Sequence, residues 1–323
     1  MNAVKQFMRG VSGKRNKYTR ADVGMVLLSL PTVLWYILFC YLPMFGIVIA
    51  FKRYRPVAGK SFIYNLFLGS PWVGLENFRF LFLNPQITAV VRNTLSYNLV
   101  FLLIDTVFPV VLGILLSYLY SRKLCGLTQT VSLLPHFLSW VVVSYFLYAF
   151  LSTDKGLFNG VLAFLHLEQI NFYQTPSVWP VILVLTHTWK GFGYATVMYM
   201  AYITSIDPTL YESAMVDGAT ALSCIRYITL PLLKPIILIL LILNLGGIFN
   251  SDFGLFYQAT RNAGSIMSVT ETIDVYTYKA LMEQANYSYS AAASLLQNII
   301  GCVFLVAANC IVKKMNPEEE GVI

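Results

Sequence analysis

Long apolar segments recur along this chain, separated only by short polar islands, and each is long enough to cross a bilayer. The runs fall at about Gly24 to Phe51, Asn93 to Tyr120, Leu127 to Leu151, Val178 to Ile203, Ile236 to Tyr257 and Ala291 to Val312. A helix rises about 1.5 Å per residue, so about 20 apolar residues match a hydrocarbon core about 30 Å thick. Within that core every backbone N–H and C=O must be satisfied inside the segment, which leaves helices as the simplest solution. The fold class expected is therefore an all-α polytopic membrane protein with six transmembrane helices. Composition agrees: 57% of the residues are hydrophobic and 11% charged, about half the charged share of an ordinary soluble domain.

The ends set an orientation. Lys5, Arg9, Lys14, Arg15, Lys17 and Arg20 precede the first run, which puts the N-terminus in the cytoplasm by the positive-inside rule. That run is longer than the apolar region of a signal peptide and no small-x-small cleavage site follows it, so it reads as an uncleaved anchor and first span. Six crossings return the chain to the cytoplasm, where Lys313 and Lys314 follow the last span before an acidic Glu318-Glu319-Glu320 tail. The division expected is a basic tail over 1–22, a membrane domain over 23–313 containing a polar loop at 205–235, and a tail over 314–323. Lys52 to about Val90 would lie outside as an interfacial stretch with Trp72, Phe78, Phe80 and Phe82 at headgroup level. Lys52, Arg53 and Arg55 run against the charge rule there. The net charge of +7 suits anionic lipid headgroups and not nucleic acid, since no basic patch with interleaved aromatics is present. Cys40, Cys125, Cys224, Cys302 and Cys310 have no paired spacing, so neither a disulfide framework nor a zinc site is indicated. No internal repeat is visible.

The most structured polar island is Tyr211-Glu212-Ser213-Ala214-Met215-Val216-Asp217-Gly218-Ala219, continuing to Ile228-Thr229-Leu230-Pro231 and Pro235. Asp207-Pro208 upstream reads as an N-cap followed by proline at the first helical position. Gly218 can end that helix and turn the chain, and Pro231 and Pro235 fit the start of the next one. Small residues at 213, 214, 218 and 219 let another surface approach the backbone. The spacing from Glu212 through Ala214 and Gly218 to Ile228, Leu230 and Pro231 resembles the EAA loop of bacterial ABC importer permeases, with Ser213 in place of the usual alanine. In that family the loop forms a coupling helix seated in a groove of the cytoplasmic ATPase. The resemblance thus implies a type I importer permease fold, with Glu212, Ser213, Ala214, Asp217, Gly218 and Ala219 as the coupling residues.

The likeness covers most of the chain. Asn93-Thr94-Leu95, Pro135-His136 with Ser139-Trp140, and Trp189-Lys190 with Gly193 are similar to the carbohydrate branch of these permeases. Asp252-Phe253-Gly254 and Asp274-Val275-Tyr276-Thr277-Tyr278 resemble the subgroup associated with complex oligosaccharides and polysaccharides. What this implies is a multi-pass subunit in the plasma membrane of a bacterium, not itself an enzyme. Its implied partners are a second homologous permease, a cytoplasmic ATPase dimer, an extracellular sugar-binding lipoprotein, the oligosaccharide and membrane lipids. No cofactor is expected on this chain, since ATP and Mg belong to the ATPase.

Ionisable groups inside membrane segments are costly and so point to function or to fixed pairing. Asp105, His136, His187, Lys190 and Asp252 are of this kind. Asp105 can pair with a polar group of a neighbouring helix, His136 can satisfy a carbonyl freed by Pro135, and His187 and Lys190 share a helix face. Lys190 and Asp252 stand equally for a pathway or for structural neutralisation. Sugar passage needs flat aromatic faces and amide or carboxylate partners for hydroxyls. Trp140, Tyr145, Tyr148 and Tyr194 can supply the faces, and Lys190, Asn244, Asn250 and Asp252 the polar groups. The alternative class is a membrane-embedded enzyme acting on lipid or glycan, but no HExxH, paired-Asp, Ser-Lys or Cys-His arrangement accompanies these residues.

Overall fold

The computed structural model describes residues 20–83, 85–119 and 121–315, so the two tails expected at the ends lie almost wholly outside the described residues. Two compact units are present, Met1–Val48 and Ile49–Ile323. The described part of the first unit is one helical rod. Helix α1 (Arg20–Tyr36) contains Pro31 and runs into a π turn at Ile37–Tyr41. The wide turn stands directly before Leu42-Pro43, where proline removes one backbone donor. The large apolar side chains of this rod, Val26, Leu28 and Phe39 among them, are exposed along its length, as a lipid-facing surface requires.

In the second unit the main helices are α2 (Pro85–Ser117), α3 (Arg122–Leu133), α4 (Trp140–Leu151), α5 (Trp179–Thr204), α6 (Pro208–Val216), α7 (Leu230–Gly246), α8 (Ile273–Met282) and α9 (Tyr287–Met315). Among the described residues there is no strand, only an isolated bridge between Lys52 and Trp72. Helices α2 and α5 form the axis and run in the same direction. Phe101 stacks on His187 at 3.7 Å, Phe108 meets Phe192 at 5.7 Å, and Gly113 lies against Thr196 and Tyr199. Each end of this pair carries its own core. At one end Tyr97, Phe101, Trp179 and Leu183 pack with Leu255, Phe256 and Ile266; at the other Val110, Ile114, Tyr199 and Ile203 pack with Leu233.

Among the described residues, four helices are long and apolar enough to cross a membrane: Gly24–Phe51, Pro85–Ser117, Ala221–Gly246 and Tyr287–Lys314. The third expected span is not one straight helix. It is Lys123–Phe137 and Trp140–Leu151, bent by 98°. Pro135 opens a short 3₁₀ turn at Leu134–Phe137, and Ser139 restarts the helix by accepting the N–H of Val142 at 3.3 Å. The fourth, α5, has 26 residues but carries Thr186-His187-Thr188-Trp189-Lys190, which dilutes its apolar character. The fifth begins earlier and ends earlier than expected. Its helix starts at Ala221, passes through a π turn at Ile225–Thr229 just before Pro231, and holds Pro235 in its interior. Pro231 stands in the first turn of α7, directly after that wide turn and as expected, whereas Pro235 lies in the helix interior. Gly246-Gly247 then end it, eleven residues before the expected Tyr257.

The outlying basic residues have local partners. Lys52 is buried, its Nζ donating to the Leu66 carbonyl at 2.6 Å and the Phe67 carbonyl at 3.1 Å, where the short helix Phe62–Phe67 ends. A cation is favoured at such a terminus. Arg53 holds Glu76 at 2.7 Å. Positions 52 and 53 are thus set by folding of the 52–90 stretch and carry little topological information.

Close helix approach gives a first prediction. A Cβ on Gly193 of α5 would overlap the carbonyl of Ser132 on α3, whereas one on Gly191 would meet nothing within 4 Å. Gly193→Ala should therefore destabilise the fold by about 1–3 kcal/mol through overpacking, read as a lower unfolding temperature in detergent. Gly191→Ala should leave it unchanged, and equal behaviour of the two variants would refute the contact.

Candidate functional site

The break between α3 and α4 is held open by polar side chains from two other elements. Lys190 of α5 donates to the His136 carbonyl at 2.9 Å and sits 5.2 Å from the centre of the Trp140 ring. Trp140 in turn donates its indole N–H to Asp252 Oδ2 at 2.8 Å. The other carboxylate oxygen, Oδ1, accepts the N–H groups of Gly254 at 2.9 Å and Leu255 at 3.4 Å, opening the π turn Gly254–Ala259. A Cβ on Gly254 would overlap the Trp140 ring. Tyr194, one turn beyond Lys190, stacks on the His136 ring at 4.8 Å. The expected residues Trp140, Lys190, Tyr194 and Asp252 are therefore brought into one connected wall. His136 differs from expectation. Its own carbonyl is the freed one, and Lys190 satisfies it.

Next to this wall, α2, α5 and the unwound stretch after α7 enclose a cavity of about 190 Å³ lined by Asn98, Asp105, His187, Asn244, Asn250 and Asp252 among others. Asp105 and His187 meet at 3.0 Å, the cross-helix pairing that the sequence allowed for Asp105. His187 and Lys190 share a helix yet serve different neighbours. The unwound stretch keeps its carbonyls satisfied through Asn98, which donates to Ile248 at 2.6 Å and Asn250 at 2.8 Å, and Gln297, which donates to Phe249 at 2.8 Å. Irregular backbone at membrane depth is tolerable where it is buried in protein or lines a cavity. The amides, carboxylates and imidazole here can exchange hydrogen bonds with hydroxyl groups. Sequence reasoning missed Asn98 and Gln297, although each is an amide within an apolar run.

Tyr145 and Tyr148 do not join this wall. They lie further along α4, facing the turn at 257–263, where Tyr148 lies 4.2 Å beneath the Arg261 guanidinium.

At the far end of α5 the polar island forms a compact helix. Asp207 accepts the N–H of Thr209 at 3.0 Å, which also holds its carboxyl below the usual range, and Pro208 occupies the first turn of α6. The helix closes on Gly218 at φ +84, with Ala219 N–H donating to the Ala214 carbonyl at 2.9 Å. That bond is the long closure of a Schellman-type end. Tyr211 holds the helix down through Thr229 at 3.0 Å. Glu212, Ser213, Asp217 and Gly218 are exposed, Ala214 and Ala219 half-buried. Met215 and Val216 are exposed too, Val216 by 87%, an apolar tip rimmed by carboxylates.

Comparison with known proteins bears on both ends. Residues 87–316 match the model of a family described as binding-protein-dependent transport system inner membrane component. The polygalacturonan/rhamnogalacturonan transport system permease protein YteP of Bacillus subtilis (strain 168) is 36% identical over 298 residues, covering 92% of this chain and 89% of that protein. Protein LplB of the same organism is 33% identical over 299 residues, covering 93% and 91%. A chain of the bacterial alginate ABC transporter, solved in complex with an alginate pentasaccharide-bound periplasmic protein, superposes with a TM-score of 0.83 at 30% identity, covering 94% of this chain and 98% of that one.

Proposed function

This chain belongs to the family of binding-protein-dependent transport system inner membrane components, and from that premise we propose how it works within an ATP-driven importer. It is a multi-pass permease subunit of an ABC transporter for oligosaccharides or polysaccharide fragments. The observation that carries this is the family match over residues 87–316, which takes in α2 through α9.

In the proposed arrangement the chain crosses six times, the bent pair α3–α4 and the polar helix α5 supplying the third and fourth crossings. Both termini and α6 then face the cytoplasm, and the turns at 152–177 and 258–286 face outward. Helix α6 is the coupling helix. Its carboxylate-rimmed apolar tip suits a groove in a cytoplasmic ATPase dimer, with Glu212 meeting a basic group there. A second homologous permease completes the pore, and an extracellular sugar-binding protein delivers substrate. Trp140, Lys190, Tyr194, Asn244, Asn250 and Asp252 line the passage beside Asp105 and His187. Wall and cavity are built from α2, α4, α5 and the stretch after α7, which pack against one another around a shared core, so helix movement driven from α6 through α5 would alter the cavity.

Two measurements test this. Purification of the tagged chain from cells expressing its neighbouring transport genes should bring down an ATPase, and uptake of labelled oligosaccharide should require the binding protein. For topology, single cysteines in a cysteine-free background, expressed without the ATPase so that α6 is uncovered, should differ: Ser265→Cys reacts with an impermeant thiol reagent in intact cells, and Val216→Cys reacts only after permeabilisation. Both positions are exposed, so the contrast reports sidedness. The reverse pattern would invert the orientation, and labelling of both from outside would end the six-crossing arrangement.

A further inference from the structure

The turn that follows Gly254–Ala259 has a feature that capping alone does not require. Arg261 and Asn262 both adopt left-handed backbone conformations, φ +54 and +49. A helix end needs one such residue, usually glycine, and left-handed backbone is unfavourable for a long side chain such as arginine. The turn is closed by Arg261 N–H to the Gln258 carbonyl at 3.0 Å and Asn262 N–H to the Tyr257 carbonyl at 3.1 Å. This geometry throws the Arg261 guanidinium across α4, over the Tyr148 ring, 4.2 Å from its centre. Among the described residues no carboxylate lies within ion-pair distance of it.

Beside the guanidinium is a cavity of about 260 Å³ lined by Val141, Ser144, Tyr145, Tyr257, Gln258, Arg261 and Asn262. Its lining holds one cation, two amides, two phenols and a hydroxyl, with no carboxylate. A second cavity that Arg261 also lines, about 350 Å³, does include Asp154, so the first is the more positive of the two. The Oδ1 atom of Asn262 is buried without a hydrogen-bond partner, leaving unused acceptor capacity at this turn. An arginine fork matches a carboxylate in two parallel bonds, aromatic rings suit the apolar face of a sugar, and amides suit its hydroxyls.

We propose that the cavity bounded by Ser144, Tyr145, Tyr257, Gln258, Arg261 and Asn262 is a subsite for one uronate-type unit of the transported chain, with Arg261 binding the sugar carboxylate. This deepens the importer reading and rests on it. In the orientation proposed above the subsite lies on the outer side of the Trp140–Asp252 wall, where an acidic oligosaccharide would be held before passing it. Tyr145 supplies the ring face, and Tyr148 holds the guanidinium in place.

The test is uptake by cells whose transporter contains the full-length chain, using labelled trigalacturonate and its fully methyl-esterified counterpart. Charge-assisted hydrogen bonds of this kind correspond to roughly 10- to 100-fold in affinity, so Arg261→Gln should raise the half-saturating trigalacturonate concentration by about that factor. Arg261→Lys, which keeps the charge without the fork, should raise it less, and both should affect the ester, a neutral acceptor, much less than the acid. Equal losses for both probes would overturn the subsite, because Arg261 would then be supporting the fold or meeting an acidic side chain of the delivering protein. Unchanged trigalacturonate uptake in Arg261→Gln would overturn it as well. Wild-type cells importing only the ester would overturn the acidic class while leaving the importer intact. Import of neither probe would overturn the subsite and leave the importer reading, which rests on the family match, to oligosaccharides of another class.

Discussion

Gly218→Val should yield a transporter that inserts and assembles its membrane helices but no longer stimulates ATP hydrolysis when substrate is delivered. The residue sits at φ +84, and a Cβ there would meet nothing within 4 Å. The penalty is therefore conformational and not steric. A β-branched side chain in left-handed backbone costs about 1–3 kcal/mol, and the chain can escape it by reopening the turn. Reopening breaks the Ala219 to Ala214 closure and lets the last turn of α6 fray. That turn presents the exposed Met215, Val216 and Asp217, the surface assigned to the ATPase. Because α6 is tethered through Tyr211 to Thr229, at the π turn that begins the long helix toward Gly246, a frayed α6 also loses its lever on that helix. Substrate-stimulated ATPase activity of the reconstituted complex is the measurement. Gly218→Asn is the control, since asparagine tolerates this backbone region while still adding a side chain to the surface. Near wild-type activity in Asn with loss in Val would assign the effect to the turn. Equal loss in both would assign it to direct contact with the partner at residue 218, and wild-type stimulation in both would show that coupling runs elsewhere.

The local elements were legible wherever one residue type has one physical job. Asp207, Pro208 and Gly218 bound α6 as their chemistry dictates, and the positive φ at Gly218 is the reason glycine stands there. Length and apolarity likewise marked α2 and α9. One boundary failed where proline was read as the mark of a helix start. Pro231 does stand in the first turn of α7, but Pro235 lies in its interior, and the π turn that joins Ala221 to α7 is announced by no single-residue signal. The bend at Pro135 was hidden for the opposite reason. Apolar residues continue on both sides of it, so periodicity carries through while the backbone turns by 98°. At the candidate site, residue type indicated which side chains had work to do but not with whom. Asp105, His187, Lys190 and Asp252 could be paired on paper in several ways. The parallel run of α2 and α5 selects Asp105 with His187 and leaves Lys190 for a carbonyl. Tyr145 and Tyr148 were grouped with Trp140 because they share a helix, yet α4 carries them past the wall to the Arg261 turn.

The Trp140–Asp252 link should prove to be the joint of the wall, detectable as a coupling between the two residues that neither shares with distant sites. Asp252 accepts three donors, the Trp140 indole N–H and the backbone N–H groups of Gly254 and Leu255. Asparagine at 252 can keep the two backbone bonds through its single oxygen, but its NH₂ group then faces the indole N–H, donor against donor. Phenylalanine at 140 removes the indole donor and keeps an aromatic ring against Gly254. Each single change thus deletes the same bond by a different route, and the turn at Gly254–Ala259 keeps its cap in both. A hydrogen bond to a charged acceptor contributes about 1.5–3 kcal/mol when buried, and about 1 kcal/mol here, where Asp252 is exposed. Asp252→Asn and Trp140→Phe should each lose roughly that much, and the double variant little more than either alone. Distant sites would instead add to within about 0.5 kcal/mol. Unfolding free energy in detergent measures the cycle, and oligosaccharide uptake should follow it, because a loosened joint frees the short helix Trp140–Leu151 from the stretch after α7 to which this bond ties it. Asp252→Ala, which also uncaps the turn, should be worse than Asp252→Asn in both assays. Simple additivity of the two single variants would show that Trp140 and Asp252 stabilise the protein separately and that the wall is held by packing around Gly254 alone.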